Sequence, residues 1–439
     1  MNPWLGIVLV LAALGALMAA VHALQRRGAI EPEVARKAVH LGMGVICLTL
    51  PWVFAAAWPV WLLAGLAIAE LAAVRLLPAL RDRLGQVLGG VGRASLGELY
   101  FPLGVAVVFT LARGRPAFYW VPVGILAFAD AAGALVGQKW GRNRYEAVEN
   151  TKSVEGSTAV LLVTWLWTTS GLMAFTALPW LPAWLTGLGL GLFALLVEAV
   201  SWRGLDNLLL PLAALAQLEM TARLSPAELA LRPVVLLVVT GVMVFRPRRA
   251  MLDDSARLGA ALVAYLLWSI GGWRWLVAPA VLLVSYTRLM PTIPGGPPRH
   301  NLVAIICIAS AALPWTLADA VAPDGRWLWF FTLGLATQQA IIAAVRFSQG
   351  RPHWRRWQWW TVAVIQAVAT HGVTLVGVNG LVVPPLSLAI GAGALAAALA
   401  GFMVWEPRLS LPDDVNARWW RQGITALAAS LAGFVALSR

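Results

Sequence analysis

The sequence is poor in charged residues. Asp, Glu, Lys and Arg make up 12% of its 439 residues, whereas soluble domains contain roughly 25%. Because 60% of the residues are apolar, there are too few polar side chains to cover a surface that faces water. Lipid is the solvent that tolerates such a surface. The composition therefore excludes an ordinary soluble domain and indicates an integral membrane protein.

Cysteine and N-terminal positive charge are also scarce. The two cysteines, Cys47 and Cys307, lie in separate apolar stretches, which excludes a disulfide framework and a zinc site of the usual ligand spacing. A signal peptide carries positive charge before its apolar run. Here Arg26 and Arg27 follow the first run, residues 5–24, instead. We therefore expect a retained first helix with its N-terminus outside.

Long apolar runs are abundant. They predict an all-α fold, a polytopic transmembrane helical bundle of about 16 spans, since a crossing helix needs about 20 mostly apolar residues. With the N-terminus outside, basic residues concentrate in the inward loops of the first nine spans, as the positive-inside rule requires. We expect a bacterial inner membrane and a site facing the cytoplasm. The net charge of +13 then reflects inward loops and anionic lipid, with no nucleic acid partner.

An internal similarity suggests how the chain is divided. Residues 241–254 resemble residues 401–414 at a constant offset of 160 positions. The pattern fits either a recurring helix end followed by a turn or a decayed tandem repeat. We divide the chain into residues 1–250, which hold the polar clusters described next, and residues 251–439. The second part is a further transmembrane domain of unknown function, either a lipid-entry wall or a decayed copy.

Two polar clusters stand at the inward ends of the second and fourth predicted spans. Arg36 and His40 are four residues apart and share a helix face with Lys37 between them; they fit a membrane anchor or a functional group. Glu98 stands at the mouth of an apolar helix, where a carboxylate needs a partner or a cation. Ser95 precedes it by three residues, so the two also fit a capping box.

The third cluster carries the strongest signal. Asp130 lies inside an apolar run, where an unpaired carboxylate is costly. Gly133, Gly137 and Gly141 repeat every four residues, a pattern that also suits helix packing. A basic loop with hydroxyl side chains then leads to a helix start, which suits a phosphate. The residues assigned to a nucleotide phosphate are Gly137, Gly141, Arg142, Lys152, Ser153, Glu155, Gly156 and Ser157.

The fourth cluster offers further oxygen ligands. Glu198 ends one predicted span, and Asp206 and Asn207 open the next. Carboxylate and amide oxygens suit the Mg²⁺ that accompanies a nucleotide. Asp206 also fits a simple helix N-cap.

Together these motifs resemble the CTP-dependent polyprenol kinase family, which includes phytol, farnesol and dolichol kinases and is related to the CDP-diacylglycerol synthases. The resemblance covers roughly residues 30–250. Its motifs are Arg36-Lys37-x-x-His40, Gly97-Glu98-Leu-Tyr100-Phe-Pro102, Asp130 with Gly133, Gly137 and Gly141, Lys152-Ser153-x-Glu155-Gly156-Ser157, and Asp206-Asn207 followed by Pro211. Ala129-Asp130-Ala131 stands where many phytol kinases have Gly-Asp-Gly.

The resemblance implies transfer of the γ-phosphoryl group of CTP, or of another nucleoside triphosphate such as ATP, to an isoprenoid alcohol such as phytol, farnesol or a polyprenol. It implies Mg²⁺ bound by Asp130 and Asp206 with help from Glu198 and Asn207. It assigns the phosphates to Lys152, Ser153 and the N–H groups around Gly156, with extra positive charge from Arg36, Lys37 and Arg142. His40 or Glu98 is the base.

Two other functions remain open from the sequence. A cytidylyltransferase that forms a CDP-lipid from a lipid phosphate would use the same cofactors. A non-enzymatic lipid transporter would carry ionisable residues at mid-membrane in both halves. The second half offers few such polar residues, chiefly His371, Gln338, Gln339 and Gln366.

Overall fold

The structure is a computed structural model, and it describes residues 2–76, 96–147, 151–202, 204–245, 252–291, 293, 299–380, 382–406 and 415–438. Nearly all of these residues are helical, which confirms the all-α prediction. The chain forms two compact units, Met1–Val238 and Val239–Arg439. Parts of the two internally similar segments, residues 246–251 and 407–414, lie outside the described residues, so the tandem repeat stays a prediction.

The first unit is a helical bundle with one small hairpin. Its helices are α1 (Pro3–Arg26), α2 (Pro32–Leu48), α3 (Leu50–Val53), α4 (Trp58–Leu76), α5 (Gly97–Ala112), α6 (Pro116–Gly124), α7 (Asp130–Trp140), α8 (Val154–Phe175), α9 (Trp180–Val200), α10 (Asp206–Thr221) and most of α11 (Pro226–Val244). A π-helical turn (Ile125–Ala129) joins α6 to α7. An antiparallel hairpin, β1 (Arg144–Glu146) and β2 (Thr151–Ser153), joins α7 to α8.

The second unit contains seven helices within the described ranges. They are α12 (Asp254–Gly271), α13 (Val277–Arg288), α14 (Leu302–Val321), α15 (Arg326–Gly350), α16 (Arg356–Gly377), α17 (Pro385–Trp405) and α18 (Val415–Leu437). Asp253 caps α12 by accepting from the Ala256 N–H, and Asn301 caps α14 by accepting from the Val303 N–H.

Ten helices in the described chain are long and apolar enough to cross a membrane. They confirm a polytopic membrane protein, since helices satisfy their backbone groups internally and can stand in lipid. Two further stretches, Trp58–Ala73 and Gly97–Ala112, are apolar but shorter. The remaining helices, α10, α12, α13 and α18, are shorter or more polar than a full span requires.

The π-helical turn lies at the centre of the first unit. It packs against α2, α8 and α10, three helices that are remote from it in sequence. Gly44 of α2 approaches it so closely that an added Cβ would lie 2.2 Å from the Ala127 Cβ, and Gly124 leaves the same kind of space for the Trp167 indole. The turn therefore brings the starts of α2, α7, α8 and α10 to one end of the bundle.

The second unit is built around α15. This helix packs against α13, α14, α16, α17 and α18, and 94% of its most apolar stretch is buried inside the protein. Its polar side chains bind neighbouring helices: Gln339 donates to Thr370 Oγ1 (2.9 Å) and accepts from His371 Nε2 (2.9 Å). Gln338 donates to the Cys307 carbonyl (3.0 Å). These contacts are typical of polar residues that join helices in membranes.

Candidate active site

Asp130 begins α7 and lies in a buried polar cluster with two residues of α2. Lys37 Nζ donates to Asp130 Oδ2 (2.8 Å), and His40 Nε2 lies 3.5 Å from the same oxygen. His40 Nε2 also donates to the Leu126 carbonyl (3.1 Å) in the π-helical turn. The Lys37 and Asp130 side chains are 6% and 17% exposed. The lysine supplies the countercharge that a carboxylate inside a membrane-spanning segment requires.

A second carboxylate stands near this cluster at the start of α10, outside the candidate membrane spans. Asp206 lies within electrostatic reach of Asp130, Lys152, Glu198 and Lys37. Burial raises the pKa of the Asp206 carboxyl to about 6, and the Asp130 carboxylate contributes to that rise. A bound cation would favour the charged form again. The two carboxylates therefore make an environment that gains from a metal ion or a further positive charge.

Asn207 anchors the start of α10 to the start of α5. Its Nδ2 donates to the Gly97 carbonyl (2.9 Å). Gly104 permits this approach, because an added Cβ would lie 2.7 Å from the Asn207 carbonyl oxygen. The Asn207 Oδ1 is buried without a hydrogen-bond partner among the described residues. A buried amide oxygen of this kind is able to accept from a water or bind a cation.

Lys152 in the hairpin and Glu198 near the end of α9 form an ion pair. Lys152 Nζ donates both to the Glu198 carboxylate and to the Glu198 backbone carbonyl. The side chains are 22% and 16% exposed. Lys152 lies in β2 opposite Tyr145 of β1. The sequence assigned these two side chains to a phosphate and a metal respectively, and the structure brings them into direct contact with each other.

The hairpin and the start of α8 are held by the residues of the Lys-Ser-x-Glu-Gly-Ser motif. Ser153 is the N-cap of α8, and its Oγ accepts from the Gly156 N–H (3.1 Å). The Glu155 carboxylate accepts from the backbone N–H groups of Arg142 (3.1 Å) and Asn143 (3.2 Å). Ser153 and Glu155 thus have structural partners here, and their assignment to nucleotide binding stays a prediction.

Tyr145 is a site residue that the sequence analysis missed. Its hydroxyl forms a 2.8 Å hydrogen bond with the Ser157 hydroxyl. Burial raises the pKa of the Tyr145 hydroxyl to about 12, so it stays protonated at neutral pH. The one signal available was a lone tyrosine opposite the motif lysine in a basic loop. That position does not predict a place beside Lys152 until β1 and β2 are known to pair.

The glycine repeat packs α7 onto the start of α8. A Cβ at Gly137 would lie 3.0 Å from Ser153 Oγ, and one at Gly141 would lie 2.7 Å from it. A Cβ at Gly133 would lie 2.5 Å from a Val160 methyl group. The repeat therefore has the helix-packing role that its spacing allowed. A nucleotide role for Gly137 and Gly141 stays a prediction.

Replacing Gly156 by alanine should destabilise the first unit. An added Cβ would lie 2.7 Å from the Gly133 carbonyl oxygen and 3.2 Å from the Gly137 Cα, and these backbone atoms cannot move without separating the helices. We expect a loss of about 1–3 kcal/mol in the free energy of unfolding, measured as a lower Tm in detergent. Gly15→Ala is the control, because no atom lies within 4 Å of its added Cβ. An unchanged Tm for Gly156→Ala would contradict the packing role.

Three other predicted residues lie at the same end of the first unit. Arg36 precedes Lys37 on α2 and acts electrostatically on Asp130. Arg142 is exposed between the end of α7 and β1, and Glu98 is exposed in the first turn of α5. Ser95, the predicted capping partner of Glu98, lies outside the described residues. These placements leave Arg36 and Arg142 close to the solvent from which a nucleotide would arrive.

The cluster fits a divalent ion that is held largely by a nucleotide. Within the described parts of the chain, no group of three or more His, Cys, Asp and Glu side chains could hold a metal alone. Mg²⁺, however, commonly takes one or two carboxylates together with substrate phosphates and water. The contacts of Asp130 to Lys37 and His40 both use Oδ2, which leaves Oδ1 for a cation. Asp206 and the Asn207 Oδ1 would supply two more oxygens to such an ion.

Comparison with known proteins identifies the family of the chain. No family model matches the chain, and no solved structure matches it. The phytol kinase of Synechocystis sp. is 32% identical over 215 residues, an alignment that spans 48% of this chain and 88% of the relative. This confirms the resemblance inferred from the motifs. The chain belongs to the phytol kinase family, a family of membrane phosphotransferases that act on isoprenoid alcohols.

Proposed function

We propose that the protein transfers the γ-phosphoryl group of CTP to an isoprenoid alcohol such as phytol at the end of the first unit, with Mg²⁺. The observation that carries the proposal is the convergence of Asp130, Lys37 and His40 in one buried cluster within electrostatic reach of Asp206. Phosphoryl transfer requires placement and charge stabilisation more than covalent chemistry. Carboxylates for a metal and cations for the phosphates are the groups that it uses.

Lys37 and Lys152 have different roles in the proposed site. Lys37 is 5% exposed and holds Asp130 in place. Lys152 is bound to Glu198, and an arriving triphosphate offers it a more strongly charged acceptor. We assign Lys152 to the phosphates and Glu198 to positioning Lys152 in the absence of nucleotide. Asp130, Asp206 and Asn207 would hold Mg²⁺, which would neutralise the charge on the transferred group.

We assign the base to His40 rather than Glu98. In the neutral ring, a proton on Nε2 donates to the Leu126 carbonyl, which leaves the lone pair on Nδ1 to accept a proton from the alcohol. Glu98 is exposed in the first turn of α5. The His40 ring also makes an edge contact with Phe101, at 5.0 Å between centroids, so its orientation is fixed. The alcohol reaches this position laterally from the bilayer.

A label-position assay tests the proposed reaction. Purified protein is incubated with Mg²⁺ and CTP or ATP, and with phytol, farnesol, a long polyprenol, diacylglycerol or phosphatidic acid. A label on the γ-phosphate should appear in an isoprenoid monophosphate, and CTP should be the better donor. A label on the α-phosphate should remain water-soluble. Transfer of the α-label to phosphatidic acid would instead establish the alternative, a cytidylyltransferase. Failure with every alcohol and every nucleotide would overturn the kinase proposal.

We also propose that this end of the first unit faces the cytoplasm, where nucleotides are present. Glu146 is exposed in the hairpin before α8, and Ala177 is exposed just after α8 ends. In a cysteine-free background, Ala177→Cys should react with a membrane-impermeant maleimide on intact cells. Glu146→Cys should react only after permeabilisation. The reverse pattern would place the site outside and contradict the positive-inside reading.

A further inference from the structure

Five aromatic side chains form a continuous series in the first unit, which we call the aromatic ladder. The Phe128 ring lies 4.6 Å from Trp167, and Trp167 stacks on Trp120 at 3.7 Å between centroids. Trp120 contacts Phe175 at 5.2 Å, and Phe175 lies 6.4 Å from Trp52. No ring is isolated, and the order along the ladder is Phe128, Trp167, Trp120, Phe175 and Trp52.

The ladder begins at the candidate active site. Phe128 belongs to the π-helical turn and precedes Asp130 by two residues. The turn packs against α2, which carries Lys37 and His40, and against α8, which carries Ser157. The same helices that hold the polar cluster thus continue away from it on either side of α6. A ligand whose polar head lies at Asp130 would meet Phe128 first.

The ladder ends near the opposite side of the membrane. Ser157 lies at the active-site end of α8 and Phe175 is its last residue, a helical rise of about 27 Å. That is close to the roughly 30 Å thickness of a bilayer's hydrocarbon core. Trp52 is 64% exposed at the far end. Ala174 of α8, two turns after Trp167 on the same face, is also exposed, so this side of the helix is open to lipid.

The arrangement differs from an aromatic belt. Belt residues stay at the level of the lipid head groups, as fits the exposed pair Trp4 and Trp58 at the start of α1 and α4. The ladder instead runs from the middle of the membrane to its far surface. The Trp167 indole N–H donates to the Trp120 carbonyl (3.2 Å), which fixes the stacked pair and presents its ring faces and edges to a hydrocarbon chain.

We infer that the aromatic ladder binds the hydrocarbon tail of the isoprenoid alcohol, with Phe128 nearest the hydroxyl and Trp52 farthest from it. This inference rests on the proposed function. A short tail reaches only Phe128 and Trp167, whereas a long tail also covers Phe175 and Trp52. The number of rings that a tail contacts then sets the preference of the enzyme for chain length, because each buried apolar contact adds to binding.

Alcohols that differ only in length test the inference. The KM values for geraniol, farnesol and geranylgeraniol are measured for Phe175→Ala and Trp52→Ala. We expect the KM for geranylgeraniol to rise about tenfold, as the loss of a large apolar contact produces, while the KM for geraniol and the kcat for all three stay near wild type. Trp180→Ala is the matched control, since Trp180 is 63% exposed at the start of α9. Equal effects on all three alcohols, or an equal effect of Trp180→Ala, would refute the ladder.

A second measurement does not depend on turnover. Geranylgeraniol with a diazirine at the end of its tail is crosslinked to the full-length protein in detergent, and the labelled peptides are identified. Labelling should concentrate on residues around Trp52 and Phe175. Labelling spread evenly over the lipid-exposed helices would overturn the inference even in an active enzyme. Concentrated labelling without any phosphorylation would support the ladder and refute the proposed reaction, so the two failures can be told apart.

Discussion

Asp130→Asn should abolish phosphoryl transfer while the protein still folds. Asparagine keeps the shape of the side chain and can still accept from Lys37 Nζ, but it removes the negative charge that a divalent ion requires. We expect kcat to fall by about 10³-fold or more, because the loss of a main electrostatic contribution to transition-state stabilisation has effects of this size. The assay is γ-phosphoryl transfer in detergent with CTP and Mg²⁺ varied independently.

Glu219→Gln is the matched control for this substitution. Glu219 also pairs with a cation, Arg115 (3.1 Å to Nη1), but it lies near the end of α10, away from Asp206. It should retain wild-type turnover, while the Asp130 variant keeps the same elution volume and a similar Tm. If Asp130→Asn retains near-normal turnover at limiting Mg²⁺, then Asp130 does not bind the metal. The proposed site would then lose its central residue.

Lys152→Met should reduce kcat/KM by about 10²-fold or more. A cation on the phosphates acts both in the bound nucleotide and in the transition state, so we expect KM for CTP to rise and kcat to fall. Methionine retains much of the apolar stem of lysine, so packing in β2 is preserved. Lys139→Met is the control, because Lys139 lies over the Trp140 ring (4.9 Å) in the last turn of α7 and has no place in the proposed site.

Glu198→Gln separates two roles for its carboxylate. If Glu198 only positions Lys152, loss of its charge should release the lysine and change kcat less than tenfold. If Glu198 binds the metal, as the sequence suggested, Glu198→Gln should be as inactive as Asp130→Asn. The structure favours the first role, because the Glu198 carboxylate and carbonyl both accept from Lys152 Nζ. A loss of activity restored by raised Mg²⁺ would show that Glu198 binds the metal.

The helices were predictable from the sequence because most of them coincide with apolar runs long enough to cross lipid. The polar clusters were also predictable, since costly residues such as Asp130 stand out within an apolar run. The faces of the helices were not predictable. A helix that is apolar on all sides shows no hydrophobic stripe, so the rings of the aromatic ladder could not be distinguished from lipid-facing residues.

Contacts between residues that are distant in the sequence were also not predictable. Lys37 and Asp130 are 93 positions apart, and Lys152 and Glu198 are 46 apart. Their pairing depends on which helices become neighbours, which local propensity does not determine. The π-helical turn before Asp130 was not predictable either, because the sequence of Ile125–Ala129 has the pattern of an ordinary apolar helix. π-turns of this kind often accompany functional sites, and here the turn sets the direction of Asp130.

The enclosed position of α15 constrains how the second unit is inserted and assembled. A helix that its neighbours surround cannot keep that environment while the ribosome is still making α16, α17 and α18, which complete the enclosure. Until α16 arrives, Gln339 faces lipid or the translocation machinery instead of Thr370 and His371. We therefore expect α15 to reach its final packing only after the last three helices have been made. Chains that are truncated before α16 would expose the Gln339 amide in the bilayer and become substrates for membrane quality control.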